Sequence, residues 1–401
     1  DISVERVKDV YEESWRAGCF VKGTPVYTRD GVKSIEDIET GDRVFDHEGN
    51  LSTVDETFEL QSEGRKHVTL NITGYEDLSA TAEHPVLVAS YDDDKEKYGW
   101  RERSKSLDWK KIDNVQPGDH IVIPKFEMET DPVSSIGLLD FIEEENVIVE
   151  EDEVYPSRPL PWKESVITKC PNSTGVKYEI EVDQDFCKFV GWFVAEGHFM
   201  ERSIRMNFHL DEEEIANELA EIIEDKFGVS SKIFKMENEN GSSLRLKTSS
   251  RLLRDFMKSL VGEGSHNKHL PEFFTELSAR NLETLVNAHY NGDAGVSVSD
   301  RLIEELSLAR HILQDRVYRK NNSDNTSRVK LNESENFSSG KPLENYTAYR
   351  VRSKESEWKR SKVYNLSVEE SDSYLVRGFA VHNCKGCTIY RQGSRSGVLT
   401  D

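Results

Sequence analysis

Two short segments of this 401-residue chain carry residues that can break and remake a peptide backbone. The first is Gly18-Cys19-Phe20 and the second is Val381-His382-Asn383-Cys384. A thiolate attacks where a thiol does not, so an activated Cys19 can attack the Gly18 carbonyl. Cys384, just past the second junction, can take over the resulting thioester. The Asn383 side chain can cyclise onto its own carbonyl and release Cys384, with His382 donating a proton or a hydrogen bond. The Gly18–Cys384 thioester then relaxes to an amide. Thr81-Ala-Glu-His84 sets a hydroxyl and an imidazole three residues apart. In a turn between strands both reach the first junction: His84 protonates the leaving nitrogen and Thr81 holds the peptide. Removing 19–383 joins a helix ending in Gly18 to a strand beginning at Cys384. A lone cysteine is commonly a small buried hydrophobe. The ordered set at both ends of one β unit points instead to self-excision.

A second constellation lies between these junctions. Phe189-Val-Gly-Trp-Phe-Val-Ala-Glu-Gly197 reads as a short apolar helix ending in an acid, Glu196. Leu285 to Gly295 repeats the plan, with Asp293 in the acid's place. The small residues Gly191, Ala195 and Ala288 let two helices approach closely and bring the two carboxylates together. Such a pair can share Mg²⁺ and activate water against a phosphodiester, with Lys268 offering a cation to the developing charge. Ile204 to Leu210 alternates strictly, so Arg205, Asn207 and His209 share one face, suited to base edges or phosphates. Arg245 and Lys247 alternate likewise. Arg310, Arg316, Arg319 and Lys320 form a later basic cluster. After Asp293, only Gly295-Val-Ser-Val-Ser299 precedes the next helix, a shorter strand set than follows Glu196.

The elements that must position these groups fall into blocks. Residues 1–17 read as an amphipathic helix. From Cys19, short strands and turn signals at Arg29-Asp-Gly31 and Glu48-Gly-Asn50 indicate an all-β unit. Residues 126–183 are weakly patterned, with acids and prolines over Glu150–Pro161, and read as a connector. From Asp185 helical patterns alternate with strands, including an amphipathic helix over Asp211–Gly228 with an acidic first turn. β character returns from Lys362. The expected spans are 1–18 (flank), 19–125 (first β part), 126–183 (connector), 184–352 (α+β insertion), 353–383 (second β part) and 384–401 (flank).

Lys and Arg number 52 against 75 Asp and Glu, a net charge of −23. That favours solubility and opposes non-specific DNA binding by the whole surface. Residues 185–330 are closer to balance, as expected if one basic face meets DNA. No apolar run of about 18 residues exists, and the start does not read as a signal peptide. Five cysteines without framework spacing fit a reduced, cytoplasmic protein. Cys384-Lys-Gly-Cys387 is a C-x-x-C that leaves redox and zinc readings open.

The residues Cys19 with Gly23-Thr-Pro25, Thr81-x-x-His84-Pro85, Tyr364-Asn-Leu before Tyr374, and His382-Asn383-Cys384 resemble the intein (Hint-fold) family over about 19–125 and 356–383. Many members carry Asp where this chain has Asn365 and His where it has Asp372. Asp372 is expected to take over part of that acid–base work. A related cholesterol-attaching or self-cleaving Hint module keeps only the first half of the chemistry, and the Asn383-Cys384 end argues against it. Residues 184–350 resemble the LAGLIDADG (DOD-type) homing endonuclease family. That resemblance implies Mg²⁺ at Glu196 and Asp293, double-stranded DNA of the intein-free host gene as partner, and no cofactor for splicing. The joined flanks, Ala17-Gly18 and Cys384-Lys-Gly-Cys-Thr-Ile-Tyr-Arg391 with Gly393-Ser-Arg395, resemble adenosylcobalamin-dependent (class II) ribonucleotide reductase, with no catalytic residue of that enzyme assignable. The expected fold is an all-β Hint splicing domain interrupted by an α+β LAGLIDADG endonuclease domain, in a monomer without membrane contact. A splicing-only intein with a decayed endonuclease is the alternative.

Overall fold

The computed structural model describes residues 18–91, 105–126, 131–142, 147–160, 163–171, 173–238, 241–315, 317–321, 326–331 and 340–383. The helix read over 1–17, Cys384, the Cys384–Cys387 pair, both flanks beyond Gly18 and Arg316 lie outside these. Among the described residues no helix is long and apolar enough to cross a membrane. The chain divides into two compact units. One comprises residues 1–129, 310–320 and 329–401, and the other residues 130–309 and 321–328.

The first unit is built on a 13-stranded sheet. Its two longest strands, Leu51–Ile72 and Tyr346–Val368, pair antiparallel along their length, from Val351 opposite Ile72 to Val368 opposite Val54. The strand order runs from Tyr346–Val368 through His120–Pro124, Pro85–Tyr91, Phe379–His382, Ser373–Val376, Pro25–Thr28 and Arg43–Phe45 to Leu51–Ile72. Because the first and last of these pair with each other, the path closes on itself. Closure leaves fewer free strand edges. Its core takes Val26, Val44, Val54, Val68, Val86, Val88, Val122 and Val381, all fully buried. Such β-branched side chains suit a half-buried pleated surface, and each contributes roughly 1.5–3 kcal/mol on burial. The topology also gathers the chain's chemistry. Phe20 sits opposite Tyr364, Val381 opposite Val86, and Ser373 opposite His382.

This unit also takes in part of the later basic cluster. Arg310 and Arg319 are 4% and 6% exposed. They pair with Asp315 at 3.2 Å and Glu76 at 3.4 Å. The His311 ring meets the Tyr75 hydroxyl at 2.9 Å. These arginines are structural ion pairs here, not part of an exposed basic face.

In the second unit, helices Gln184–Glu196 and Ala279–Asp293 pack together. Asp183 caps the first by accepting from the Phe186 amide, and Ser278 caps the second by accepting from the Asn281 amide. Their contact depends on small residues. A Cβ at Gly191 would lie 2.3 Å from the Leu285 carbonyl oxygen, and one at Gly292 would lie 2.6 Å from the Ala195 Cβ. A four-stranded sheet, ordered Gly197–Met200, Ser203–His209, Gly241–Thr248, Ser231–Asn238, buries Ile204, Met206, Phe208, Leu244 and Leu246. Helix Glu213–Phe227 ends at Gly228 in the left-handed region (φ 72°), where a Cβ is strained. The 126–183 segment, read above as a connector, carries antiparallel strands at Val147–Glu150, Glu153–Leu160 and Lys163–Lys169.

Candidate functional sites

The first junction is held from both sides. The Cys19 amide donates to Thr81 Oγ1 at 2.8 Å, and the Thr81 amide donates back to the Cys19 carbonyl at 2.9 Å. Asn365 Nδ2 donates to the Gly18 carbonyl oxygen at 2.7 Å. Its amide is oriented by two donors on Oδ1, the Leu366 amide at 2.8 Å and the Tyr374 hydroxyl at 2.7 Å. Thr81 occupies the end of strand Leu78–Thr81, and a tight turn brings the His84 amide onto the Thr81 carbonyl at 2.9 Å. His84 then lies against Gly18 so closely that a Cβ on residue 18 would fall 2.0 Å from the His84 Cα. Glycine is required there by close approach.

His84 is fully buried, with its ring 4.3 Å from the Phe20 ring. Desolvation lowers its pKa to about 3, opposed by the Gly18 backbone and assisted by the charge of His382. The imidazole is therefore neutral at pH 7. A neutral imidazole offers one N–H donor and one acceptor nitrogen, not a resident cation. Sequence reasoning missed Arg65. Its Nη1 is 3.7 Å from Cys19 Sγ, and the side chain is 7% exposed. No local pattern signals a cation that reaches the thiol from 46 positions away.

At the second junction Asn383 is 5% exposed. Its backbone amide donates to the Asp372 carbonyl at 2.8 Å. Its Nδ2 donates to the Val368 carbonyl and to Asp372 Oδ1, both at 3.2 Å. His382 Nδ1 lies 3.0 Å from the Asn383 carbonyl oxygen, and its ring packs 5.1 Å from Trp109. Asp372 adopts φ 53° in the turn before Ser373–Val376. So Asn365 serves the first junction and Asp372 the second, while Cys384 lies beyond the described residues.

In the second unit Glu196 and Asp293 are the last residues of the two packed helices. The Glu196 carboxyl is pushed up to about 7, first by burial, then by Asp293 and Glu212, against Lys268. Asp293 is also raised by burial, with Lys268 opposing. The acids titrate as a pair, and the repulsion falls on Glu196. Lys268 is lowered by burial and raised by both acids. Its Nζ donates to the Val194 and Ala195 carbonyls at 2.6 and 3.0 Å, at the negative end of the first helix. Two half-buried carboxylates whose like charge Lys268 offsets only in part fit a hard divalent cation. Among the described residues no group of three His, Cys, Asp or Glu ligands forms. Carbonyls, water and phosphate oxygens would complete the shell.

The alternating strands present the expected residues on one face. Arg205 pairs in register with Lys247, and Asn207 with Arg245. Arg245 Nε donates to Asn207 Oδ1 at 3.2 Å. The next strand adds Lys232 opposite Lys247 and Phe234, 44% exposed, opposite Arg245. Neither was singled out from sequence. His209 departs from the group: its ring meets Asp211 at 3.3 Å and it begins the turn leading into the next helix.

Residues 184–260 match the family model for a LAGLIDADG-like domain. An iron-sulfur cluster assembly SufBD family protein of Mycobacterium bovis is 24% identical over 96% of this chain and 45% of its own length. The ATP-dependent DNA helicase Hel308 of Thermococcus kodakarensis is 22% identical over 92% of this chain and 36% of that protein. The chain thus spans less than half the length of these relatives. Among solved structures, I-DmoI in complex with DNA and Mn is 13% identical, with 37% of this chain and 90% of that chain covered and a TM-score of 0.30. The gp41-1 intein is 16% identical over 26% of this chain and 68% of its own, with a TM-score of 0.19. The stretch that carries Glu196, the Arg205–His209 strand, Arg245 and Lys247 is the part of the chain that matches the LAGLIDADG-like domain.

Proposed function

We propose that residues 19–383 are a self-splicing intein, an all-β Hint domain interrupted by an α+β LAGLIDADG homing endonuclease domain. One observation carries the reading: the Gly18–Cys19 peptide is gripped at its carbonyl by Asn365 and at its amide by Thr81. Cys19 Sγ attacks the Gly18 carbonyl carbon. The oxygen that gains charge already faces Asn365 Nδ2, and preorganised donors of this kind contribute most where charge develops. The C–N bond breaks, and the Cys19 nitrogen takes up one proton for the one the thiol released. His84 mediates this exchange. Cys384 displaces Cys19 from the thioester. Asp372 accepts from Asn383 Nδ2 and directs its remaining electron density toward the Asn383 carbonyl, while His382 donates to that carbonyl oxygen. Asn383 Nδ2 bonds to its own carbonyl carbon and loses a proton, the Asn383–Cys384 C–N bond breaks as the Cys384 nitrogen takes up a proton, and an S-to-N shift joins Gly18 to Cys384.

In this reading the second unit cuts double-stranded DNA at the intein-free host gene. Glu196 and Asp293 would hold Mg²⁺, which would supply charge to activate water and the scissile phosphate. Lys268 adds a cation beside them, and Arg205, Asn207, Arg245 and Lys247 meet the duplex, with His209 at the edge. The chain acts as a cytoplasmic monomer. Its flanks belong to a host protein, a class II ribonucleotide reductase by the resemblance of residues 17–18 and 384–395. The named relatives support an insert: their activities differ, and each matches this chain over less than half its length. A splicing-only reading has one observation in its favour. The strand after Asp293 is two residues long, Val296–Ser297, against four in Gly197–Met200 after Glu196.

The test is Asn383→Ala. It blocks the second cleavage and leaves the Gly18 thioester, so dithiothreitol should release the N-terminal fragment. No thiol-dependent release means Cys19 is not the nucleophile.

A further inference from the structure

We propose that the Arg65 guanidinium holds the Cys19 sulfur as the reactive thiolate for attack on the Gly18 carbonyl. The proposal deepens the splicing reading and rests on it. Arg65 Nη1 lies 3.7 Å from Cys19 Sγ in a region where both residues are almost sealed from water. A buried thiol is ordinarily driven toward its neutral form, because burial disfavours the thiolate. A nucleophile at this depth therefore needs a cation beside it. His84 cannot be that cation, since burial keeps its imidazole neutral near pH 7. Arginine can, because its guanidinium stays charged at all working pH values and is weakly hydrated enough to be buried.

The placement follows from the sheet. Arg65 and His67, two positions apart, share a face of the long strand Leu51–Ile72, and His67 sits directly opposite Thr81. This brings the Arg65 face to the strand end that grips Cys19. The neighbouring charges do not supply an equivalent. His67 is lowered by burial and by Lys359, so it too is held toward its neutral form. Lys359, opposite Arg65 on the partner strand, is paired with Glu357 at 3.6 Å. Glu83 precedes His84, and His382 lies across the site as a second imidazole near His84. Tyr364 and Asn365 complete the wall on the partner strand.

In the step itself the thiol proton leaves Sγ and the sulfur–carbon bond to Gly18 forms. The Gly18–Cys19 C–N bond breaks, and a proton is delivered to the Cys19 nitrogen, so no proton is gained or lost overall. Arg65 takes no proton. It stabilises the sulfur charge before attack, while Asn365 receives the charge on oxygen after it.

The experiment uses the full chain with Asn383→Ala as parent, and adds Arg65→Met or Arg65→Lys. Thiol-induced release of the N-terminal fragment is followed from pH 6 to pH 10, together with iodoacetamide alkylation of Cys19 read by peptide mass. A neighbouring cation shifts a titration by about one to three pH units. Arg65→Met should move both profiles up by at least about one unit, slowing release at pH 7 tenfold or more, with the difference closing above pH 9. Arg65→Lys should keep most of the parent profile. A merely structural role would lower amplitude without moving the midpoint. Superimposable parent and Arg65→Met profiles overturn the proposal while the splicing reading stands. No release from the parent sinks the splicing reading instead. If Arg65→Met does not fold, the parent decides: a Cys19 midpoint no lower than that of Cys170 overturns the proposal, and a lower one supports it.

Discussion

The Asn365 side-chain amide donates to the Gly18 carbonyl oxygen at 2.7 Å, across 347 positions of sequence. A carboxylate in this position would donate such a bond only when protonated. An amide donates at every pH. Asn365 is therefore a donor at every pH, oriented by Leu366 and Tyr374.

Asn365→Ala should slow thioester formation by about 10²–10³-fold, the usual cost of deleting one oxyanion donor. Asn365→Asp should be slow at pH 8 and recover toward pH 5. Thiol-dependent release in an Asn383→Ala chain measures both. Equal rates for Asn365→Ala and its parent would remove Asn365 from the first step.

The acid pair predicts a metal response that depends on pH. Glu196 binds its proton more tightly folded (about 7) than unfolded (4.5). Its contribution to stability is therefore present below pH 4.5 and lost as pH rises through 7. Glu305, buried and also raised to about 7, has the same sign. A divalent cation at the pair should raise the thermal midpoint more at pH 7.5 than at pH 5.5. Asp293→Asn should abolish both this response and Mg²⁺-dependent nicking of a plasmid bearing the intein-free junction, while splicing continues. Wild-type protein that binds this DNA but never cuts it would favour the decayed endonuclease.

Part of this architecture was legible in the sequence. Cys19, the Thr81-to-His84 turn and His382-Asn383 are each local patterns, and the fold brings them to one place. The Gly191–Ala288 helix contact was legible because only small residues permit it. Other features were not. The charged middle of Tyr346–Val368, around Glu357–Arg360, lacks apolar alternation, yet it is strand because its backbone pairs with Leu51–Ile72. Pro156 and Pro159 disguised the strands of 147–169; proline suits such short, edge-rich hairpins. Arg310 and Arg319 read only as a basic cluster because sequence shows charge without its partners. Asp315 and Glu76 supply those partners.

Three buried histidines predict acid lability of the first unit. His84 and His311 are held at about 3, and His120 at about 4, in each case chiefly by desolvation. Each is neutral when folded and takes up a proton below about 6.5 when unfolded. This stability is present above pH 6.5 and is lost as pH falls toward 4. Each histidine contributes a slope of about 1.4 kcal/mol per pH unit in that window. The unfolding midpoint of the first unit in a splicing-blocked chain should fall from pH 7 to pH 5, and His311→Gln should flatten the fall. A midpoint constant over that range would contradict the burial of these rings.

Self-excision is tested most directly by intact mass after expression in a bacterium under reducing conditions. Two products are expected, a free polypeptide of residues 19–383 and a ligated peptide joining Gly18 to Cys384. Persistence of only the uncut 401-residue chain after long incubation would contradict it.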